Sequence, residues 1–205
     1  TADHQSVALE RVIDTLIGSG IAFLSSYLIF PSWESYQFKC YLQQMLQANL
    51  RYFETIYRRV SQNDVNVTDY KLARKEVYVQ TANLAAAFQR MLNEPKNKQY
   101  KAVDTHKFVV LNHVLSSYLA NFSASVQENE YNSDAEHHKF YNKASFYLKE
   151  SIKTLDTQQT PGEISTLSNS SAYEGETTNN DVLTEQLELI TKVSSDILKI
   201  TEKIK

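Results

Sequence analysis

From Val12 to Phe30 the chain reads VIDTLIGSGIAFLSSYLIF, a nearly unbroken apolar run closed by Pro31. Beyond Pro31, apolar residues return mainly at helical intervals. Nineteen residues at about 1.5 Å each give a helix of about 28 Å, close to the hydrocarbon thickness of a bilayer. Residues 1–31 are therefore predicted to contain one transmembrane helix. The alternative is a core helix of a soluble bundle, since Asp14, Thr15, Ser19, Ser25 and Ser26 dilute the run. Trp33 and Tyr36 stand where an interfacial aromatic belt belongs. Lys39, Arg51, Arg58 and Arg59 follow, so the positive-inside rule puts the C-terminal side in the cytoplasm.

Residues 32–156 carry four amphipathic stripes at 3/4 spacing. The first comprises Phe38, Leu42, Met45, Tyr52, Ile56 and Val60, with Ser32 as its N-cap. The second runs from a Thr68 cap to Asn93 through Ala73, Val77, Thr81, Leu84, Phe88 and Met91. The third, Asp104 to Glu128, holds Phe108, Leu111, Leu115, Leu119, Phe122 and Val126. Ser133 and Glu136 form a capping-box pattern that opens a fourth helix to Leu155, burying Phe140, Ala144, Tyr147 and Leu148. Long helices with short polar connections predict an antiparallel bundle. Residues 157–180 turn to Thr, Ser, Asn, Gln and Glu and read as a flexible linker. Residues 181–205 form a last amphipathic helix with Ile190, Val193, Ile197, Ile200 and Ile204. That helix either joins the bundle or pairs with another copy as a short coiled coil. The fold class is thus all-α: one transmembrane helix followed by a cytoplasmic antiparallel helical bundle.

Composition narrows the chemistry. Among 205 residues there are only four glycines and three prolines, so no phosphate loop can be assembled. A net charge of −3 is too small to mark a nucleic-acid surface. The single cysteine, Cys40, cannot close an internal disulfide and fits a reducing compartment. The chain starts with neither a Met nor a basic n-region, and it reads as the C-terminal part of something longer. His137 and His138 lie beside Glu136, but neighbouring side chains diverge by about 100° on a helix. No metal or cofactor site is expected, and no enzymatic constellation is found.

Three features remain. Arg11 and Asp14 lie one turn apart, either as a relay within the membrane or as an ion pair at the helix entrance. Gly18, Ala22 and Ser26, at i, i+4 and i+8, form a small-residue stripe along which another membrane helix can pack. Lys71, Arg74 and Lys75 form a basic cluster, read either as a solvated face or as a contact for anionic lipid heads.

The string RVIDTLIGSGIAFLSSYLIFPSWE, at Arg11 to Glu34, resembles the last transmembrane helix of the FUSC (fusaric acid resistance protein-like) family. YKLARKEVYVQTANLAAAFQRMLNEPK, at Tyr70 to Lys96, is similar to the cytoplasmic domain of its YccS-type bacterial inner-membrane members. The resemblance covers about the first 100 residues. It implies the C-terminal part of an inner-membrane transporter, with efflux of aromatic or organic acids and a cytoplasmic bundle serving assembly or regulation. Arg11, Asp14, Thr15 and Gly18 fall on the shared helix motif. The partners implied are the lipid bilayer, other transmembrane helices of the full-length protein and further copies of the chain. The competing expectation is a membrane-anchored or soluble helical scaffold without transport.

Overall fold

The computed structural model describes residues 2–28, 34–62, 66–97, 99–128, 135–156 and 180–204. Within them the chain is helical, as α1 (Ala2–Leu28), α2 (Glu34–Gln62), α3 (Val67–Leu92), α4 (Ala102–Glu128), α5 (Ala135–Leu155) and α6 (Asn180–Ile204). The all-α class read from the sequence holds for these residues.

The predicted stripes supply most of the core, although Val60, Leu111, Phe140 and Ile200 are only partly buried at its edge and Tyr147 lies outside it. Phe38, Leu42, Met45, Tyr52, Phe53 and Ile56 of α2 are buried, and they meet Ala73, Val77, Leu84, Phe88 and Met91 of α3. α4 adds Phe108, Leu115, Leu119 and Phe122, while α5 adds Ala144, Leu148 and Leu155. Each stripe is too wide to be covered by one neighbour, so α2 packs against α3, α4 and α5 together. Fully burying one such large side chain contributes about 1.5–3 kcal/mol.

Contacts between named residues fix the helix directions. Phe38 lies near Phe88, and Tyr52 near Tyr70, so α2 and α3 run antiparallel. Phe88 next to His106, with Tyr70 bonded to Ser123, makes α3 and α4 antiparallel. Tyr57 against His138, and Glu54 against Lys149, do the same for α2 and α5. The sixth helix breaks the alternation. α6 joins the bundle, seated on α4 and α5. His137 meets Thr184, and Thr191 donates to the Phe140 carbonyl, so α6 runs parallel to α5 and antiparallel to α4. The antiparallel arrangement was expected of residues 32–156, where α2–α5 show it, while α6 was expected either to join the bundle or to pair with another copy. The parallel pair follows from the long segment between Leu155 and Asn180, which frees α6 from the short-turn rule.

The α3 cap also differs from expectation. Asn66, not Thr68, is the N-cap: its side-chain oxygen accepts from the Thr68 backbone N–H at 3.0 Å. Both residues carry a suitable oxygen, but Thr68 already lies within the first turn. The expected caps at Ser32 and Ser133, and the linker at 157–179, lie outside the described residues.

α1 stands apart. It packs against none of α2–α6. Its apolar side chains from Val7 to Leu24 are exposed around the whole helix, Phe23 at 72% and Leu16 at 66%. The alternative in which this segment is the core of the bundle is not what the chain forms. Among the described residues no helix is long and apolar enough to cross a membrane. Ile29, Phe30 and Pro31, the end of the apolar run, lie outside them.

Candidate functional site

On α1, Arg11 and Asp14 are both exposed, and among the described residues no ion pair joins them. Thr15 turns its hydroxyl onto the Arg11 carbonyl at 2.7 Å, and Ser19 bonds the Leu16 carbonyl at 3.0 Å. These bonds satisfy hydroxyls within their own helix, which suits an apolar surrounding. A Cβ added at Gly18 meets nothing within 4 Å, and Ala22 is exposed too. The Gly18–Ala22 track is therefore open. The side chain of Ser26 lies outside the described residues. The six residues singled out from the sequence thus share one helix, and nothing else in the chain is brought to those whose side chains are described.

A second feature arises only on folding. At the end of the bundle where α2 finishes and α3 starts, a groove of about 510 Å³ opens along α3. Lys71, Arg74 and Lys75 line it, as the sequence cluster suggested, and Arg59 of α2 joins them. Helical spacing puts Val67, Lys71, Lys75 and Val79 on one track and Tyr70, Arg74 and Tyr78 on the next. Asp69, Leu72 and Glu76 fall on another track of the same helix.

Tyr70, which lines this groove, belongs to a chain of hydroxyls. Tyr70 and Ser123 share a hydrogen bond of 2.5 Å, and Tyr52 lies 3.4 Å from Tyr70. Burial pushes the Tyr52 phenol well above the usual tyrosine range. For Tyr70 burial acts in the same direction, but the bonds with Ser123 and Tyr52 and the nearby Arg74 charge outweigh it, and its phenol is lowered. The Arg74 guanidinium sits 5.7 Å from the Tyr78 ring centre and donates to its hydroxyl at 3.5 Å. That bond raises the Arg74 pKa further, so its charge is fixed. Arg59 and the Tyr52–Tyr70 contact escaped sequence reasoning because only packing brings α2 and α3 together here.

Three of the five histidines pack against named neighbours. His137 is buried against Thr184, His138 meets the edge of Tyr57, and His106 lies on Phe88. Among the described residues no three His, Cys, Asp or Glu side chains gather in a way that could hold a metal ion.

Over 118 residues the chain is 33% identical to "Inner membrane protein YccS" of Escherichia coli (strain K12). Over these residues the chain is similar to the YccS-type proteins. The match takes in 58% of this chain but 16% of that protein. An uncharacterised protein of Haemophilus influenzae (strain ATCC 51907 / DSM 11121 / KW20 / Rd) is 28% identical over 125 residues, covering 60% of this chain and 17% of its own length. The chain therefore spans under a fifth of the length of either of these proteins. No family model matches it, and no solved structure does.

Proposed function

We propose that this chain is the C-terminal part of a FUSC-like inner-membrane transporter, in which the Val12–Phe30 run is a membrane segment and α2–α6 form a cytoplasmic domain for assembly or regulation. One observation carries the reading: α1 presents exposed apolar side chains on all faces and packs against no other helix. A contiguous apolar surface of that extent calls for lipid or for other helices around it. Similarity to an inner-membrane protein supports the same setting. The open Gly18–Ala22 track suits a neighbouring transmembrane helix, and Arg11 and Asp14 would face a polar path between helices. Export of aromatic or organic acids is the activity proposed for the whole protein, most of whose path would lie outside this chain. The chain's own role is not enzymatic.

The test is alkaline carbonate extraction with a reporter fused after Lys205. Retention in the membrane pellet and a cytoplasmic reporter are expected; release into the supernatant overturns the proposal. For the transport role, Asp14→Asn in the full-length protein should reduce export of an acidic aromatic compound at normal membrane levels. Unchanged export removes Asp14 from the path.

A second reading is a membrane-attached scaffold without transport. It is favoured by the fact that no described helix is long and apolar enough to span. In that case α1 lies along the membrane surface, and carbonate releases it.

A further inference from the structure

The α3 groove gathers four cations, Arg59, Lys71, Arg74 and Lys75, in a chain whose overall charge is −3. None of the four is ion-paired with a carboxylate among the described residues, and no described acidic side chain lines the groove. Lys71 and Lys75 are one turn apart on the same track, where like charges repel. A cluster of that kind is relieved by a polyanion. Two arginine forks and two ammonium groups also match several phosphate oxygens better than a single carboxylate.

An aromatic group completes the groove. Tyr78 is 57% exposed, and the Arg74 guanidinium lies over one face of its ring, leaving the other for a ligand. Lys71 and Tyr78 are seven residues apart, about 10 Å along the helix. That is the reach of a nucleoside diphosphate from its terminal phosphate to its base. The volume of about 510 Å³ lies within the range of small-molecule sites.

We propose that this groove binds a nucleotide-type ligand, with phosphates on Arg59, Lys71, Arg74 and Lys75 and a planar base on Tyr78. The groove is built as a binding site only: it offers no phosphate loop and no metal cluster, and no phosphoryl transfer is assigned to it. Anionic lipid heads share the phosphate chemistry, but position argues against them. The groove sits at the Arg59 end of α2, about 37 Å by helical rise from Glu34, where the chain arrives from α1. The choice of nucleotide over lipid rests on α1 being the membrane segment proposed above; anion binding in the groove does not.

The full chain in a zwitterionic detergent, at low salt and without divalent cations, is titrated with adenosine, AMP, ADP, ATP and inorganic pyrophosphate. Affinity should climb with phosphate number, and ATP should outbind pyrophosphate. Lys71→Gln with Lys75→Gln should weaken ATP on the order of tenfold or more, with the far-UV circular dichroism unchanged. Tyr78→Ala should weaken ATP on the order of tenfold while leaving pyrophosphate alone. Absence of ATP binding, equal affinity for ATP and pyrophosphate, or indifference to these substitutions overturns the proposal. The chain in phosphatidylcholine vesicles, with and without phosphatidylglycerol, separates the lipid source. Acylation of Lys71 and Lys75 should be blocked by ATP in both; blocking by phosphatidylglycerol in place of ATP overturns the assignment.

Discussion

Asn49 and Asn112 meet in the seam between α2 and α4, where their neighbours are apolar. The Asn49 amide donates to the Asn112 carbonyl oxygen at 3.2 Å, and Ser116 donates to Asn49 at 3.1 Å. Asn112 spends its own amide on the Phe108 carbonyl at 3.0 Å. A buried amide pair of this kind holds two helices in one register, because a slip leaves both unsatisfied. Asn112→Ala should cost about 1–3 kcal/mol in a denaturant melt, and adding Asn49→Ala should cost less than the sum of the two. Tyr57 is the opposite case. It is 4% exposed and its ring stacks on Tyr141 at 3.8 Å, yet among the described residues its hydroxyl has no partner. Burial first, and the neighbouring Tyr141 second, push its pKa up to about 12. Because ionisation is harder in the folded chain than in the unfolded one, where the value is about 10, the phenol's stabilising effect is complete below pH 10. It fades as the pH rises through 12. Tyr57→Phe should leave stability at pH 7 unchanged or higher, and should reduce the alkaline loss by about 1–2 kcal/mol. A larger loss at pH 7 would show that the hydroxyl is satisfied. Such residue-scale facts were not legible in the sequence, where Asn49 and Asn112 stand 63 positions apart.

At the scale of elements the sequence told much more. The stripes of α2, α3, α4 and α5 were legible because burial on one face imposes a 3/4 period that local reading detects. The α3 cap was misplaced by two residues, since Asn66 and Thr68 both offer an oxygen and only backbone geometry chooses between them. The placement of α6 was beyond reach, because its apolar face fits equally well against another copy. What the structure adds is a set of polar tethers. Tyr100 donates to the Ile204 carbonyl at 2.7 Å, and Lys101 to the Lys203 carbonyl at 2.8 Å. Near the other end Gln186 donates to Ser125 at 3.0 Å. The first two satisfy carbonyls that the last turn of a helix leaves open, and the lysine charge opposes the negative end of the dipole. Tyr100→Phe should therefore loosen the last turn of α6 by about 1 kcal/mol. Hydrogen exchange should speed up there by several-fold with α2 unchanged; uniform change across the bundle would point to a global effect instead.

For the whole molecule, the division between α1 and the rest has a direct test. Since α1 packs against none of the other helices, residues 34–205 should remain helical and melt cooperatively without it. A non-cooperative melt would show that α1 supports the bundle. The basic groove belongs to this scale too. Lys71, Arg74 and Lys75 were visible as a cluster, but the contribution of Arg59 depends on α2 and α3 returning antiparallel past each other.

The parallel seating of α6 also sets a timetable for synthesis. Leu187, Ile190 and Ile197 of α6 are buried in the core that α4 and α5 help to form. Those two helices leave the ribosome first, and about fifty residues separate Leu155 from Ile204. At ~5–20 residues per second, that delay is ~2–10 s. During that interval the faces of α4 and α5 that α6 later covers have no cover of their own. A nascent chain in this state offers a hydrophobic surface to chaperones or to another nascent copy, and an α6 supplied by a neighbour would fill it equally well. Exchange of α6 between chains is thus the characteristic error of this topology, and crowded translation is the condition that favours it.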